Sequence, residues 1–141
     1  MKGIHYVGII LVCGLLLLSA CSNEEAAIKI SPLPDIKAHL SKVYTDLTEN
    51  AGWYVVTPDK RTFTIFAEAE QTETVLVWIV PTGTETWGER ELVGYDIDGS
   101  DGWSFTWEFG DRTFHDRIYV QALGSDGMTQ DTEVIKVTSE T

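Results

Sequence analysis

WSFTWEF, residues 103–109, is the stretch that decides the fold, because every odd-numbered position is a large aromatic side chain and every even-numbered one is polar. Side chains of a β-strand alternate between its two faces, so this pattern predicts a strand with one face in a core and the other in water. Such a strand is stable only when further elements cover its aromatic face. The sequence on either side must therefore supply them.

Six further segments carry strand patterns and are separated by turn residues. Residues 62–69 are apolar at every second position, and residues 74–80 (TVLVWIV) are apolar on both faces, as in a central strand that is covered on both sides. The remaining segments are 53–57, 91–95, 117–123 and 131–138. Seven short strands without a long helix between them predict an all-β Greek-key sandwich over residues 53–141, with a small barrel as the structural alternative.

The strand rhythm, the aromatic strand after an Asp/Gly loop and the terminal hairpin resemble the immunoglobulin-like (Ig-like) and fibronectin-type-III-like modules of bacterial surface proteins. The resemblance implies a core position for Trp78 in the third strand, and parity places Trp103 and Trp107 in the same core. The paired cysteines of antibody domains are absent from residues 53–138. The resemblance therefore implies an Ig-like sandwich that its core alone holds together.

Residues 35–52 show a different period. Ile36, Leu40, Val43 and Leu47 recur at intervals of three and four, and Asn50 stands where a helix could end. This spacing predicts a short amphipathic helix that packs on the sandwich, with a partner-binding helix as the alternative.

The segment Leu18-Ser19-Ala20-Cys21 ends an apolar run that follows Lys2. A basic start, an apolar middle and small residues before a cut are typical of a signal peptide. The four residues resemble the lipobox of bacterial lipoproteins, in which the cysteine thiol receives diacylglycerol and becomes the mature N-terminus. The resemblance implies a signal peptide over residues 1–20, lipidation of Cys21 and a tether over residues 21–34.

The predicted location is therefore the extracytoplasmic face of a bacterial membrane, with the N-terminal lipid as the contact. An uncleaved membrane-spanning helix is the alternative, since about 20 apolar residues cross a bilayer. Glu24 and Glu25 follow the apolar run where a stop-transfer signal would be basic, which counts against that alternative.

The charge balance excludes partners that bind through a basic patch. The chain has 10 basic and 22 acidic residues, a formal charge of −12, and losing Lys2 with the signal peptide would leave nine basic ones. We therefore predict no nucleic-acid binding and no binding to anionic headgroups through basic residues. Cys13 would leave with the signal peptide and Cys21 would carry the lipid, so the sequence predicts no disulfide, no thiolate metal site and no cofactor.

The loop DIDGSDG places Asp96, Asp98 and Asp101 within six positions. Three carboxylates at this spacing could supply oxygen ligands to Ca²⁺, although Gly99 does not stand where an EF-hand loop requires its glycine. Asp, Gly and Ser are also the residues of a plain turn, because they tolerate unusual backbone angles and bond their own backbone. We favour the turn and keep calcium as the alternative.

No catalytic constellation is evident. His39 and His115 are the histidines that remain after cleavage, and the pair His115-Asp116 has no serine on a sharp glycine-flanked turn to act on. We therefore predict that the protein is not an enzyme.

Trp87 stands in the polar middle of a long loop, residues 81–90, where an indole either closes over the core or contacts a partner. Trp53 is the other tryptophan without a clear core position, and an exposed, coplanar Trp53–Trp87 pair would favour a sugar-binding face. The sequence predicts a non-catalytic lipoprotein whose domain binds an envelope protein or glycan, or has a structural role there. A carbohydrate-binding or calcium-dependent adhesive module is the alternative.

Overall fold

A computed structural model describes residues 37–83 and 86–140, apart from the side chain of Trp87. These residues contain nine β-strands: β1 (His39–Thr45), β2 (Thr48–Asn50), β3 (Trp53–Val56), β4 (Thr62–Glu70), β5 (Thr72–Pro81), β6 (Glu91–Asp96), β7 (Trp103–Glu108), β8 (His115–Gly124) and β9 (Gln130–Ser139). Two short 3-10 turns, Trp87–Glu89 and Gly99–Asp101, are the only helical elements in the described ranges.

The strands form two sheets that pack face to face. One has three strands in the order β1-β4-β7, and the other has six in the order β2-β3-β9-β8-β5-β6. Strands β4 and β5, β6 and β7, and β7 and β8 follow one another in sequence but lie in different sheets, which is the interleaving of a Greek-key sandwich. The predicted all-β sandwich is confirmed, and its seven predicted strands correspond to β3–β9.

The core lies between the inner faces of the two sheets. Phe63 of β4 is 1% exposed and makes ring contacts with Trp107, Phe109 and Phe114 at centroid distances of 5.6–5.8 Å. These rings meet edge to face or tilted, the arrangements that aromatic quadrupoles favour. The aromatic side of residues 103–109 packs on this core, as its alternation predicts. The apolar side chains of β5 and β8 complete the core: Val75, Val77, Ile79, Ile118, Val120 and Ala122.

Two glycines make room for the aromatic rings of β7. A Cβ atom at Gly94 would lie 2.1 Å from two ring carbons of Phe105, and one at Gly99 would lie 2.5 Å from the indole of Trp103. Both distances are far inside van der Waals contact. The edge strand β6 and the loop after it therefore depend on glycine because the rings pack directly on their backbone.

The predicted helix over residues 35–52 is wrong, and its described part forms β1 and β2 instead. The pairing of β1 with β4 shifts register between Leu40 and Lys42, so one extra residue, Ser41, is inserted at a bulge. The bulge places Leu40 and Val43 on the same inner side although they are three positions apart. That spacing imitates the period of a helix.

Beyond the bulge the chain alternates in the ordinary way, with Thr45 buried on the inner side. Strands β2 and β3 are joined by a two-residue turn in which Ala51 and Gly52 have φ angles of 50° and 80°. This turn, with both central residues at positive φ, is the usual connection of a tight hairpin. The described part of the sandwich therefore begins with β1 at His39, ahead of the predicted start at Trp53.

Side chains of the β8–β9 region hold the beginning of β1. The Leu40 amide donates to Asp131 Oδ2 at 2.8 Å, and the Ala38 amide donates to Thr129 Oγ1 at 2.9 Å. His39 Nδ1 lies 3.2 Å from the same Asp131 oxygen. The hydrogen bond from Leu40 is the main reason that the pKa of Asp131 lies below its ordinary value.

Candidate functional site

Trp78 lies on the outer side of the six-stranded sheet, which corrects the predicted core position. Val75, Val77 and Ile79 of β5 are 1–3% exposed and point inward, so the alternate residue Trp78 points outward. Its Nε1–H donates to Gln121 Oε1 at 3.2 Å. Strand β5 is therefore apolar on both faces, as predicted; on its outer face Leu76 and Trp78 are half-buried and Val80 is fully buried.

The register of the sheet places other apolar side chains beside Trp78. Val134 of β9 pairs with Tyr119 of β8, Tyr119 pairs with Trp78, and Trp78 pairs with Leu92 of β6. We call these four residues the apolar row. Since neighbouring strands are about 4.8 Å apart, the row crosses the sheet over about 14 Å.

A second row runs parallel to the apolar row: Thr132, Gln121, Leu76 and Tyr95. Gln121 is only 8% exposed, and its Nε2 donates to Gln130 Oε1 at 2.7 Å while its Oε1 accepts from Trp78. The amide therefore has partners at both ends. These bonds fix Gln121 and hold the indole of Trp78 in place.

The ends of the two rows are exposed to solvent. Leu92 is 45% exposed, Tyr95 61% and Val134 41%. They are three of the five large apolar residues that are exposed in the described ranges. Tyr119, Trp78 and Leu76 between them are half-buried, because neighbouring side chains on the same face shield them. The apolar row, together with Leu76 and Tyr95, forms a largely apolar surface, and Arg90 lies over the Tyr119 ring near its middle.

The same face carries cations and no carboxylate at its outward register positions. Lys136 pairs with Arg117 across β9 and β8, next to the apolar row, and the Arg90 guanidinium lies 4.3 Å from the ring centroid of Tyr119. No Asp or Glu occupies an outward-facing paired position of β3, β9, β8, β5 or β6 in the described sheet. For a chain with 22 acidic residues, this is a pronounced segregation of charge.

Trp53, a predicted binding residue, lies at the margin of this face. Its ring stacks on His115 at 4.9 Å with an interplanar angle of 9°, and the Lys136 ammonium lies 5.6 Å from its centroid. The indole is half-buried and engaged with protein side chains. Trp87, the other predicted contact, opens a 3-10 turn, but its side chain lies outside the described residues.

The carboxylates of the DIDGSDG loop bind backbone amides. Asp96 accepts from the amides of Asp98 and Ser104 at 3.0 and 2.9 Å, and Asp98 accepts from the Ser100 amide at 3.1 Å. Hydrogen bonds from Ser100 lower the pKa of Asp98 below its ordinary value. Asp101 is exposed at the end of the turn. Hydrogen bonds of this kind stabilise a turn. Within the described ranges, no group of three His, Cys, Asp or Glu side chains is placed so that it could hold a metal ion.

His115 and Asp116 point to opposite sides of β8. The imidazole of His115 stacks on Trp53 on the outer face, whereas Asp116 is 6% exposed and faces inward, with its Oδ1 3.6 Å from Arg112 Nη2. The two side chains do not form an oriented acid–base pair. His39 lies at the other end of the domain against Asp131.

An open cleft of about 200 Å³ lies where the chain leaves β3 and β7, lined by residues that include Arg61, Phe109 and Arg112. Arg61 Nε lies 3.0 Å from Asp111 Oδ1, and its Nη1 donates to the Pro58 and Lys60 carbonyl oxygens. Arg112 contacts Glu91 and Asp116. The guanidinium groups of this cleft thus serve to hold its loops together.

The apolar row could not be recognised in the sequence, because its four members come from four strands and only the register of the sheet brings them together. The signal that could have revealed it was the run TVLVWIV, which is apolar on both faces.

The predicted lipobox, Leu18–Cys21, lies outside the described residues. Within residues 37–83 and 86–140, no helix is long and apolar enough to cross a membrane. No family model matches the chain, and no curated protein or solved structure shows significant similarity to it.

Proposed function

We propose that this chain is a lipid-anchored lipoprotein of a bacterial envelope whose Ig-like domain binds another envelope molecule without catalysing a reaction. The observation that carries the binding role is the outer face of the six-stranded sheet. An antiparallel sheet that only has to fold needs one apolar face, and its other face is ordinarily polar. Here the second face presents the apolar row to solvent.

The anchor rests on the residues Leu18-Ser19-Ala20-Cys21 and on their resemblance to a lipobox. Diacylglycerol on Cys21 would hold the domain at the membrane, since each buried methylene contributes about 0.8 kcal/mol and two chains give stable anchoring. The acidic domain would then be repelled by anionic headgroups. Binding would be directed to molecules beside the membrane.

The alternative of a sugar-binding or calcium-dependent adhesive module has less support from the described residues. Trp53 uses one ring face against His115, and the carboxylates of Asp96 and Asp98 accept backbone amides. The apolar row, by contrast, ends in Leu92 and Val134, whose side chains are 45% and 41% exposed. We therefore place the binding role on the row.

The binding role can be tested by site-specific photo-cross-linking in cells. A benzophenone amino acid replaces Tyr95, which is on the outer face of the six-stranded sheet, or Glu68, which is exposed on the outer face of the three-stranded sheet. We expect a discrete cross-linked product from position 95 and none from position 68. Equal products at both positions, or none at either, would contradict a specific binding face.

The anchor has a separate test, in which cells that express the chain are labelled with palmitate. The wild-type protein should take up the label, and Cys21→Ala should abolish it and leave unprocessed precursor. An unlabelled wild-type protein with its N-terminus at another residue would show that the assignment is wrong.

A further inference from the structure

We infer that two copies of this chain pair through the free edge of β7, so that their three-stranded sheets join edge to edge. The inference concerns the edge of a sheet and is independent of the binding role proposed above for the outer face of the other sheet. Its evidence is the composition of the edge strands, the backbone groups that β7 leaves open, and the way these groups match those of a second copy.

The edge strands of the two sheets differ in how they are protected. Proteins usually keep an edge from pairing with another chain by making it short, by bulging it, or by placing Lys or Pro on it. Strand β2 has three residues, β6 shifts register at Val93, and β1 contains the bulge at Ser41 followed by Lys42. Strand β7 keeps one register with β4 over its six residues, WSFTWE, which include neither Lys nor Pro. Among the described strands, β7 is therefore the edge without these protections.

The hydrogen bonds of β4 show which backbone groups of β7 are open. The Thr64 amide donates to Asp46 Oδ1 at 2.8 Å, and the Asp46 amide donates to the Thr64 carbonyl oxygen at 3.2 Å, so both backbone groups of Thr64 point away from β7. Thr64 pairs with Thr106, and an antiparallel pair that exchanges no hydrogen bond points its backbone groups in opposite directions. The amide and carbonyl of Thr106 therefore point to the free edge.

The same alternation turns the backbone groups of Ser104 and Glu108 to the free edge, two positions on either side of Thr106. One of these groups is used within the chain, because Asp96 Oδ2 accepts from the Ser104 amide at 2.9 Å. The groups that follow it along the edge are the Ser104 carbonyl, the amide and carbonyl of Thr106, and the Glu108 amide. These are the groups to which an added strand would bond.

This set of groups is its own complement. When a second β7 runs antiparallel with Thr106 opposite Thr106, the two threonines exchange hydrogen bonds, and each Glu108 amide meets the Ser104 carbonyl of the other copy. The bond between Asp96 and the Ser104 amide stays intact in this arrangement. Glu108 lies opposite Ser104, so the carboxylates of the two copies are not opposed, as like charges directly opposite would be destabilising.

The inner side of β7 gains contacts in the same register. Trp103, Phe105, Trp107 and Phe109 pack against the core but remain half-buried in the single chain. In the pair, Phe105 lies opposite Trp107 of the second copy, and Trp103 lies opposite Phe109. These are the positions without hydrogen bonds, where side chains approach most closely, and aromatic pairs across strands stabilise a sheet.

A second copy fits this edge better than a strand of another protein. Main-chain hydrogen bonds alone do not select a sequence, so any extended strand can use them. The arrangement around Thr106, by contrast, matches itself in bonds, charge and aromatic pairs. Each copy also uses the same edge, so the contact has two-fold symmetry and closes after two copies.

Cysteine variants of the purified, detergent-solubilised full chain test both the pairing and its register under a mild oxidant. Thr106→Cys should form a disulfide-linked dimer, because directly opposite Cα atoms are about 5.5 Å apart, within the range of a disulfide. Ser104→Cys and Glu108→Cys should each stay unlinked, since equal positions of the two copies are then roughly 14 Å apart along the strand. A mixture of these two variants should form the linked dimer. Wild type is the control for products of Cys13 and Cys21.

Sedimentation of the full chain in density-matched detergent tests the backbone bonds. Thr106→Pro removes the amide that donates across the axis but no bond to β4, and should raise the dissociation constant of the dimer about tenfold or more. Thr106→Val keeps the amide and should change the constant no more than about two- to threefold. Circular dichroism checks that both variants are folded, and the cysteine pattern does not depend on either of them.

Three results would overturn the inference. A chain that stays monomeric at every concentration would exclude the pairing. Ser104→Cys or Glu108→Cys that links to itself as readily as Thr106→Cys would show collision or a different register. A monomeric chain whose position 106, carrying the benzophenone amino acid in cells, cross-links to a different protein would assign the edge to a strand of that protein.

Discussion

The outer faces of the two sheets differ, although both belong to one sandwich. On the three-stranded sheet, Thr64 and Thr106 hydrogen-bond to each other at 2.9 Å, and the stacked pair Tyr44–Phe66 is covered by Lys42. On the six-stranded sheet, the apolar row crosses four strands and ends in exposed Leu92 and Val134. The first face combines polar side chains with one aromatic pair, and Lys42 shields the Tyr44 ring of that pair. The second retains apolar side chains that folding into two layers does not require.

The binding role proposed for the outer face of the six-stranded sheet would account for this difference. Exposed apolar surface lowers solubility, and soluble domains rarely keep large patches of it without a use. No Asp or Glu occupies an outward paired position of β3, β9, β8, β5 or β6 in the described sheet, so these positions contribute no negative charge to its solvent face. The predictions below test whether the two faces differ in their role or only in their composition.

The largest effect is expected from comparing an inward tryptophan with an outward one. Trp107→Ala removes a ring that contacts Phe63, Phe109 and Phe114, and should lower the free energy of unfolding by about 3 kcal/mol or more. Trp78→Ala should cost less, about 1–1.5 kcal/mol, because its indole lies outside the core cluster on which Trp107 packs and donates one hydrogen bond. Urea unfolding measures both.

Glu108→Ala is the control for this comparison, since Glu108 is exposed on the outer side of β7 and should change stability by no more than about 0.5 kcal/mol. Equal losses for Trp107→Ala and Trp78→Ala would mean that the outer face supports the fold as strongly as the core does.

Alternation explains why most of the fold could be predicted from the sequence. In residues 103–109 and 62–69 one face is aromatic or apolar and the other polar, so period and parity together identify the buried side. The same reasoning fails for residues 39–45. The bulge at Ser41 spaces the inward apolar residues of this strand as they would be spaced in a helix. The spacing of apolar residues alone does not distinguish such a bulged strand from a turn of helix.

The proposed binding face was harder to predict, for a different physical reason. A strand that is apolar on both sides, such as TVLVWIV, indicates two apolar environments but does not say whether the second belongs to the same chain. The prediction placed Trp78 in the core because a covered strand is the commoner case. The cations and the missing carboxylates become evident only when register aligns Lys136 with Arg117 and Trp78 with Tyr119.

The second prediction concerns the edge strand β6, whose inner side faces the core and whose other side belongs to the outer face of the six-stranded sheet. Its inner side needs Gly94 for the ring of Phe105, so Gly94→Ala should lower the free energy of unfolding by about 1–3 kcal/mol through overpacking. Gly88→Ala is the control, since a Cβ at that position would meet open space. A neutral Gly94→Ala would mean that the Phe105 ring can move aside without cost.

The third prediction tests the outer face directly. The double variant Leu92→Thr with Val134→Thr keeps β-branched or strand-compatible side chains and removes exposed apolar surface. Each change should alter the free energy of unfolding by no more than about 0.5 kcal/mol, while retention on a hydrophobic-interaction column and cross-linking from position 95 should both fall. A large loss of stability would instead assign these side chains to the fold.

The smallest effect is expected where the two sheets are tied together by Asp131 of β9, which accepts the Leu40 amide of β1. Folding lowers the pKa of Asp131, chiefly through that hydrogen bond, so the ionised carboxylate stabilises the folded state above the ordinary Asp pKa of about 3.9. This contribution is lost as the pH falls through the lower pKa of the folded state. Asp131→Ala should therefore lower the free energy of unfolding by about 1 kcal/mol at pH 7, and the difference from wild type should shrink towards pH 2.5, roughly a unit or more below the ordinary value.

Asp101→Ala, at an exposed turn, should show no such pH-dependent difference in the same urea titrations. If the loss caused by Asp131→Ala were the same at both pH values, the tie between the sheets would depend on the size of the side chain and not on its charge.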